Sequence, residues 1–398
     1  MKPLSGIRVL DLATFIAAPF AASIMGEFGA EVIKIEHPEG GDPMRRFGTP
    51  TDQPDMTLAW LSEARNKHSV TLDLKSQAGA ATFKELVRRS DVVVENFRPG
   101  TLEKWGLGWD VLSEINPRLV LLRISGYGQD GPYRERPGFA RIAHAVGGLT
   151  HLAGLPGGPP VTPGSTSLAD YVSGLFGAVG VLMALRVAEQ TGHGQVIDVA
   201  LYESIFRVLD EIAPLYDKFG VVREPEGLST RNACPHGHFA CADGKWVAIA
   251  CTSDRMWDRL ARNVLKRPDL ADSHPHTADR LHDRELIDGV VERFARSLVI
   301  TDVVNRCIEG DVPCAPINTI ADIFDDPHFA ARGTLARVAD AVLGELVVPN
   351  VVPKLSQTPG EIDSLGPPLG DWNQHVVDRL LKSDDEVRVP GEKTRRKD

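Results

Sequence analysis

The sequence predicts an α/β fold with a large open domain and a smaller α+β domain, and three observations support this prediction. Strand-like apolar runs at residues 6–13 and 30–36 flank an apolar helix at 19–29, which is a βαβ unit. The composition changes after residue 224, where a polar and irregular stretch begins. The chain has 398 residues, which is enough for two domains with separate cores.

Each further element of the large domain follows from its periodicity. An amphipathic pattern predicts a helix at 77–89, and Thr101 is placed to cap another helix. A helix is also predicted from residue 201 through about residue 219. Strands are predicted at 69–75, 91–97, 119–125 and 194–200.

The later part of the chain predicts a small domain and a return to the large one. Its predicted elements are a hairpin strand at 243–251 and helices near 253–265, 279–297 and 301–309. A strand at 344–349 follows, and the end of the chain is highly charged from about Ser383. We therefore divide the chain into a large α/β domain at 1–224, a small domain at 225–325 and a return segment at 326–398.

Charge and cysteine content exclude several classes of protein. The net charge of −10 argues against a broad surface for nucleic acid or an anionic membrane, so we expect neither partner. No secretory signal pattern follows Met1, and the five cysteines form no CxxC pair, so we expect reduced thiols and a cytoplasmic location. Cys314 is more typical of a small buried side chain than of a nucleophile.

The stretch from Gly164 to Leu185 places one carboxylate, Asp170, directly before an uncharged and mostly apolar run. The run at 171–185 is shorter than a membrane span and predicts a buried core helix whose small residues allow close packing. Ser167 and Asp170 have the spacing of a capping box. From these residues alone, helix capping is favoured over chemistry by about two to one, since acidic residues are common in first turns.

Polar and aromatic residues follow two of the predicted strands. Lys75 follows one strand, Asn96 and Phe97 end another, and Lys104 comes shortly after. Such residues at the carboxyl ends of strands suit a purine ring and phosphates. The alternative, that Asn96 forms a turn and the charges are solvated, is the commoner case for loop residues. The turn after the first strand lacks GxGxxG, which disfavours a dinucleotide cofactor.

A close histidine pair, His236 and His238, invites a metal interpretation together with Cys234 and Cys241. The spacing matches no common zinc motif, so we expect no metal. The intervening glycine favours a mobile loop that covers a substrate. The sequence also contains no GxSxG, HExxH or P-loop motif, which disfavours three large classes of enzyme.

Taken together, ordered motifs along nearly the whole chain resemble the class III CoA-transferase family, which includes formyl-CoA transferase, carnitine CoA-transferase and α-methylacyl-CoA racemase. The matching segments are at 3–12, 29–36, 41–42, 66–67, 91–100, 125–132, 191–195, 313–316 and 368–370. The resemblance implies a large Rossmann-like open α/β domain and an interlocked-ring homodimer. It also implies coenzyme A or acyl-CoA as substrate, with no tightly bound cofactor.

The resemblance implies that Asp170 is the nucleophile. It attacks an acyl-CoA thioester to give an aspartyl anhydride, and the released CoA thiolate then forms an aspartyl-CoA thioester. The positions that match the CoA-binding site of the family are Leu72, Lys75, Asn96, Phe97, Lys104, Arg136 and His37. Lys104 stands where relatives often carry arginine, which keeps the charge but loses the fork of donors.

Two departures from relatives narrow the expected chemistry. Ile16 stands where formyl-CoA transferase has a glutamine facing the active site, which disfavours formyl/oxalate exchange. Phe139 stands where the racemase branch has a histidine, and phenylalanine cannot shuttle a proton. The glycine-rich flap of formyl-CoA transferase is absent, and by chain order residues 235–239 are its counterpart, so that His236 and His238, with Arg231, would contact the acceptor.

We therefore expect an enzyme that moves CoA from an acyl-CoA, most simply succinyl-CoA, to a small dicarboxylate such as glutarate, citramalate, malate or mesaconate. One alternative is an α-methylacyl-CoA racemase or acyl-CoA isomerase on the same fold. Another is a CoA-binding or structural protein with a vestigial site, which a capped and unreachable Asp170 would favour.

Overall fold

The computed structural model describes residues 1–340 and 344–376, and the chain forms two compact units. Unit 1 contains Met1–Leu149, Gly164–Glu211 and the described residues from Ala331 on. Unit 2 contains Thr150–Pro163 and Ile212–Ala330. The predicted division into 1–224, 225–325 and 326–398 concerns independently folding domains and stays a prediction. The charged end predicted from Ser383 lies outside the described residues.

A six-stranded parallel sheet forms the centre of unit 1, in the order β3-β2-β1-β4-β5-β6. Its strands are β1 (Arg8–Asp11), β2 (Glu31–Glu36), β3 (Lys67–Thr71), β4 (Val92–Glu95), β5 (Val120–Ser125) and β6 (Val196–Ala200). The predicted α/β fold class is confirmed. The chain leaves β1 in one direction and returns to its other side as β4. Sheets of this kind bind ligands where the strand order reverses, beyond the carboxyl ends of the strands.

The helices up to residue 206 connect these strands. They are α1 (Ala17–Glu27), α2 (Leu58–Glu63), α3 (Gln77–Val87), α4 (Thr101–Lys104), α5 (Trp109–Ile115), α6 (Ala140–Val146), α7 (Leu149–Leu152), α8 (Leu168–Thr191) and α9 (Leu201–Phe206). A single 3₁₀ turn, Pro43–Arg46, lies between β2 and α2.

Two local predictions in unit 1 are wrong. The strand predicted at 69–75 ends at Thr71, because Asp73 forms a turn in which its carbonyl accepts a hydrogen bond from the N–H of Ser76. Thr101 is not a helix cap. Gly100 occupies the cap position of α4 with a φ of +82°, a conformation that glycine adopts without strain.

The long helix α8 packs closely on α1 and on β5 through its small residues. A Cβ atom added to Gly174 would lie 2.6 Å from the carbonyl oxygen of Ala17. A Cβ atom on Gly177 would lie 2.9 Å from a methyl carbon of Leu122 on β5. Both distances are too short for a side chain, so glycine at these positions is what lets α8 reach the first turn of α1.

Only one face of α8 is buried, so α8 differs in part from the buried core helix that the sequence predicts. Its other face exposes a stripe of large apolar side chains, namely Leu175, Phe176, Val179, Leu182, Met183 and Val187. By length and composition alone α8 could cross a membrane, which is weak evidence because core helices of soluble proteins pass the same test. An exposed apolar stripe is also typical of a surface that another chain covers. The interlocked dimer stays a prediction.

An antiparallel sheet with the order β10-β9-β8-β7 lies in unit 2. Its strands are β7 (Ser229–Thr230), β8 (Ala233–Ala240), β9 (Trp246–Ala250) and β10 (Cys314–Pro316). The helices are α10 (Ile212–Phe219), α11 (Asp254–Arg259), α12 (Pro268–Ser273), α13 (Thr277–His282), α14 (Arg284–Arg296), α15 (Ile300–Glu309), α16 (Ile320–Asp325) and α17 (Pro327–Arg332). The predicted helix at 301–309 is confirmed as α15.

Three predictions near or in unit 2 differ from the structure. The helix predicted from residue 201 through about 219 is two helices, α9 and α10, separated by a turn at Asp210 with a φ of +48°. The helix predicted at 279–297 is likewise split into α13 and α14. The loop predicted around His236 and His238 is wrong, because both residues lie on β8, which pairs with β7 on one side and β9 on the other.

The last described elements are β11 (Leu335–Asp340), β12 (Gly344–Pro349) and α18 (Asn373–His375), and all three lie in unit 1. The strand predicted at 344–349 is confirmed. Side chains just before and in α18 cover the outer edge of β3: Asp371 accepts from the N–H of Ser69, and Asn373 accepts from the N–H of Thr71. These contacts protect the edge of the sheet, where unpaired backbone groups invite association.

Candidate active site

A pocket of about 230 Å³ opens in unit 1 at the carboxyl ends of β1 to β4. It is lined by residues 12–14 after β1, residues 34–37 at the end of β2, Gly41 and Asp42, residues 72–75 after β3, and the rings of Phe97 and Trp105. These two rings pack edge to face with centroids 5.1 Å apart. The pocket therefore lies at the edge of the sheet where the strand order predicts a ligand.

Four of the residues predicted to bind CoA line this pocket: His37, Leu72, Lys75 and Phe97. Lys75 and His37 are exposed at its rim, and Nε2 of His37 lies 3.9 Å from a carboxylate oxygen of Asp73. The structure thus brings together residues that are distant in the sequence.

The other three predicted CoA contacts lie outside the lining of the pocket. The side-chain amide of Asn96 is engaged with the backbone of Thr14: its oxygen accepts from the N–H at 2.8 Å and its nitrogen donates to the carbonyl at 2.7 Å. Lys104 is exposed at the end of α4, next to Trp105. Arg136 is exposed and stacks on the ring of Tyr133 at 3.5 Å. Direct contact of these three with CoA stays a prediction.

A buried ion network lies beneath the pocket. Nζ of Lys34 lies 2.9 Å from Asp42 and 3.5 Å from Asp11, and Nζ of Lys67 lies 2.9 Å from Asp11. Burial alone would lower the pKa of Lys34, but the carboxylates of Asp11 and Asp42 outweigh it and raise the pKa. Lys34 therefore stays charged and holds the two carboxylates together.

This network fixes the loop between β1 and α1. Lys34 donates to the carbonyl of Ala13, and Asp42 accepts from the N–H of Phe15 at 3.1 Å. Phe15 has a φ of +60°, a conformation that a bulky residue adopts only when its surroundings impose it. Ala13 and Thr14 line the pocket, and α1 begins three residues later at Ala17, so one rigid loop connects the pocket to the first turn of α1.

The two residues that depart from relatives lie beside this loop. Ile16 is 6% exposed and packs in an apolar cluster with Met44, Trp60 and Ala64, against which Tyr171 also packs. Phe139 is 65% exposed, and its ring packs edge to face on Phe15 with centroids 6.1 Å apart. Their contact with a substrate stays a prediction.

Asp170 occupies the third position of α8, and the capping-box interpretation of it is wrong. The side chain of Ser167 makes no capping bond, and its N–H donates to Oγ of Ser165 at 3.1 Å instead of to Asp170. Within residues 1–340 and 344–376 no hydrogen-bond donor contacts the carboxylate of Asp170. Burial raises its pKa from 3.8 to about 7. A half-buried carboxylate without a structural partner is typical of a catalytic group.

Residues next to Asp170 contribute further groups that sequence reasoning missed. Nε2 of His144, on α6, accepts a hydrogen bond from the N–H of Ala169 at 2.9 Å. Tyr171 lies near the carboxylate of Glu63, and burial raises the pKa of both groups. No sequence signal identifies these partners, because each lies on a helix distant in the chain.

The buried carboxylate of Glu95 fixes the backbone beside the pocket. Glu95, at the end of β4, accepts from the N–H of Phe97 at 2.6 Å and pairs with Arg123 at 2.6 Å. Burial raises the pKa of Glu95 to about 7, although Arg123 opposes this shift. The carboxylate therefore orients the backbone at Phe97, whose ring lines the pocket.

The predicted acceptor contacts, His236, His238 and Arg231, all lie in unit 2, whereas Asp170 lies in unit 1. Arg231 pairs with Glu226 at 3.6 Å. In the part of the chain that the structure describes, no group of three or more His, Cys, Asp or Glu side chains could hold a metal ion. Cys314 is half-buried and its Sγ contacts the carbonyl of Val304 at 3.8 Å.

Comparison with known proteins defines the class to which this fold and site belong. Residues 4–373 match CoA-transferase family III, so the chain belongs to that family and is a class III CoA-transferase. The resemblance inferred from the sequence motifs is confirmed.

Individual relatives match along nearly the whole chain. The alpha subunit of succinyl-CoA–L-malate CoA-transferase from Chloroflexus aurantiacus is 57% identical over 381 residues, covering 95% of this chain and 89% of the relative. The beta subunit is 58% identical over 388 residues, covering 96% and 95%. Human succinyl-CoA:glutarate CoA-transferase is 33% identical over 391 residues, covering 97% and 87%. The crystal structure of a CAIB/BAIF family protein from Brucella suis superposes with a TM-score of 0.83 at 31% identity, covering 95% of this chain and 99% of that one.

Replacing Asp170 with the neutral isostere asparagine should stabilise the protein at high pH. The pKa of Asp170 is raised on folding, so the folded state binds the proton more tightly than the unfolded state. The stability of the wild type therefore falls as pH rises from about 4 to 7, while Asp170→Asn lacks this loss. We expect a gain on the order of 2 kcal/mol at pH 8 and a smaller gain at pH 5 in urea unfolding. Asp110→Asn removes an exposed acid from the first turn of α5 and should give no gain; equal effects of the two substitutions would contradict the burial of Asp170.

Proposed function

We propose that this enzyme moves CoA from succinyl-CoA to a small dicarboxylate, with Asp170 as the nucleophile. The observation that carries the proposal is the state of Asp170: half-buried, at the start of α8, with a raised pKa and no hydrogen bond to its own helix. A carboxylate used only for capping would accept a bond from the N–H of Ser167, which is engaged elsewhere.

The proposed reaction proceeds in two covalent halves. A carboxylate oxygen of Asp170 attacks the succinyl carbonyl carbon, the carbon–sulfur bond breaks, and CoA leaves as a thiolate from the aspartyl–succinyl anhydride. The thiolate attacks the aspartyl carbonyl, which releases succinate and forms the aspartyl-CoA thioester. The acceptor carboxylate then reverses these steps, so that the second acyl-CoA leaves and Asp170 regains its negative charge.

Burial and the neighbouring loop support this chemistry. The raised pKa makes the carboxylate more basic, and hence a better nucleophile once it is ionised. The first turn of α1 has no side-chain cap that engages its backbone N–H groups, and α8 packs against this turn at Ala17. Donors of this kind stabilise the negative charge of a tetrahedral intermediate.

We propose that the pocket at the ends of β1 to β4 binds the nucleotide end of CoA. Phe97 and Trp105 offer aromatic faces for the purine, and Lys75 places a positive charge at the rim for the phosphates. The rigid loop at 13–16 joins this pocket to the helix against which α8 packs. That connection supports a single continuous site for the nucleotide and the thioester.

The choice of substrates follows from the relatives. Three of them, at 57%, 58% and 33% identity, are named as transferases that use succinyl-CoA with L-malate or glutarate. We therefore propose succinyl-CoA as donor and a four- or five-carbon dicarboxylate, L-malate first, as acceptor. His236, His238 and Arg231 stay the predicted contacts of the acceptor.

Incubating the enzyme with succinyl-CoA and a panel of carboxylic acids should give product CoA thioesters with dicarboxylates and little with monocarboxylates. Asp170→Ala should lower kcat by about a thousandfold or more, since the covalent route is lost. Cys314→Ser should retain activity, because the covalent steps use the carboxylate of Asp170 and not this thiol. Chromatography of the CoA thioesters measures each product. Full activity of Asp170→Ala would contradict the proposal, as would exchange of the α-proton of 2-methylacyl-CoA in deuterated water without an acceptor.

Replacing Lys75 with alanine should raise the KM for succinyl-CoA about three- to tenfold, since one contact with a phosphate is lost. The kcat should change less than twofold, because Lys75 lies at the pocket and not beside Asp170. Lys84→Ala removes a lysine from α3 outside the pocket lining and is the matched control. Steady-state kinetics at low and high salt measure both constants. An equal KM in the two variants would place the CoA phosphates elsewhere.

A further inference from the structure

The start of α8 is capped by a side chain that comes from another helix. Ser167 occupies the capping position but makes no side-chain capping bond, whereas Nε2 of His144 accepts from the N–H of Ala169 at 2.9 Å. His144 lies in the last turn of α6 and is 1% exposed. Ala169 directly precedes Asp170, so this bond fixes the backbone at the nucleophile.

The chemistry of the cap requires a neutral imidazole. A ring nitrogen accepts a hydrogen bond only when it carries no proton, so the single proton of His144 lies on Nδ1. Burial lowers the pKa of His144, and the nearby charge of Arg141 lowers it further. A neutral acceptor satisfies an N–H of the first turn without placing a second negative charge beside Asp170, which a capping aspartate would do.

The external cap leaves the nucleophile free. In a capping box the acid at the third helical position bonds the N–H of the capping residue, which would occupy one oxygen of Asp170. Here the N–H of Ser167 donates to Ser165 at 3.1 Å, and His144 satisfies the turn from outside. Both oxygens of Asp170 therefore remain available for attack on a thioester.

We propose that His144 is the positioning residue for Asp170: from α6 it fixes the first turn of α8 and thereby directs the free carboxylate at the acyl-CoA. Phe139, at the start of the same helix, contacts Phe15 of the rigid loop. One end of α6 therefore contacts the loop at 13–16, and the other end contacts the start of α8. The inference rests on the proposed function, because it assigns His144 a role only if Asp170 is the nucleophile.

Two substitutions of similar size at position 144 distinguish the effect of the hydrogen-bond acceptor from the effect of side-chain packing. Glutamine at position 144 keeps a neutral acceptor oxygen at similar reach, whereas leucine fills the space without any acceptor. In His144→Leu we expect kcat to fall about five- to tenfold with the KM for succinyl-CoA changed less than twofold. In His144→Gln we expect kcat within about threefold of the wild type. The rate at which succinyl-CoA and hydroxylamine convert Asp170 to its hydroxamate, measured by mass spectrometry, should follow the same order.

The outcomes distinguish this inference from the proposed function. If the wild type forms the hydroxamate and both variants form it as fast as the wild type, His144 has no positioning role and the inference is wrong. If the wild type forms none, Asp170 is not the nucleophile and both fail. Should the leucine variant not fold, ¹⁵N chemical shifts of the wild-type ring decide: a neutral ring protonated on Nδ1 supports the inference, and a proton on Nε2 overturns it.

Discussion

The site depends on the close contact between α8 and the first turn of α1. Glycine at position 174 brings α8 to the carbonyl of Ala17, where a Cβ atom would lie 2.6 Å away. This contact sets the start of α8, and hence Asp170, against a loop that is itself part of the pocket lining. A larger residue at position 174 would push the two helices apart and separate the carboxylate from the rest of the site.

Buried charged residues fix the loop that precedes α1, which is the other partner in this helix contact. Lys34, Asp11 and Asp42 are almost completely buried, and burying charges costs stability unless each is paired. Their pairing fixes the loop that carries Phe15 in its unusual backbone conformation. Asp170 differs from these groups because it is half-buried and lacks a partner. The same low-dielectric surroundings that strengthen the paired charges therefore raise the pKa of this unpaired one.

The sequence predicted the parallel sheet well, because its buried strands are continuous apolar runs separated by helices and turns. Lys75 and Phe97 were expected from their positions after strands, and His37 and Leu72 from the family resemblance. The structure gathers all four around one pocket. At Asp170 the residues alone favoured a capping box with Ser167, and only the family resemblance favoured catalysis. The structure shows that His144 provides the cap instead. The sequence misjudged His236 and His238, where a glycine suggested a loop but pairing with two strands forms β8. Contacts between distant segments leave no local pattern in the sequence. Such contacts determine how α8 is capped and where His236 and His238 lie.

Transfer of ¹⁸O from the acceptor to Asp170 tests the central claim most directly. The enzyme would turn over succinyl-CoA with L-malate labelled with ¹⁸O in both carboxyl groups, in unlabelled water. If Asp170 is the nucleophile, each turnover leaves one acceptor oxygen on its carboxylate, and mass spectrometry of the peptide that contains Asp170 detects ¹⁸O. Succinate released in later turnovers then also carries the label. Formation of malyl-CoA over many turnovers with unlabelled Asp170 would contradict the covalent mechanism.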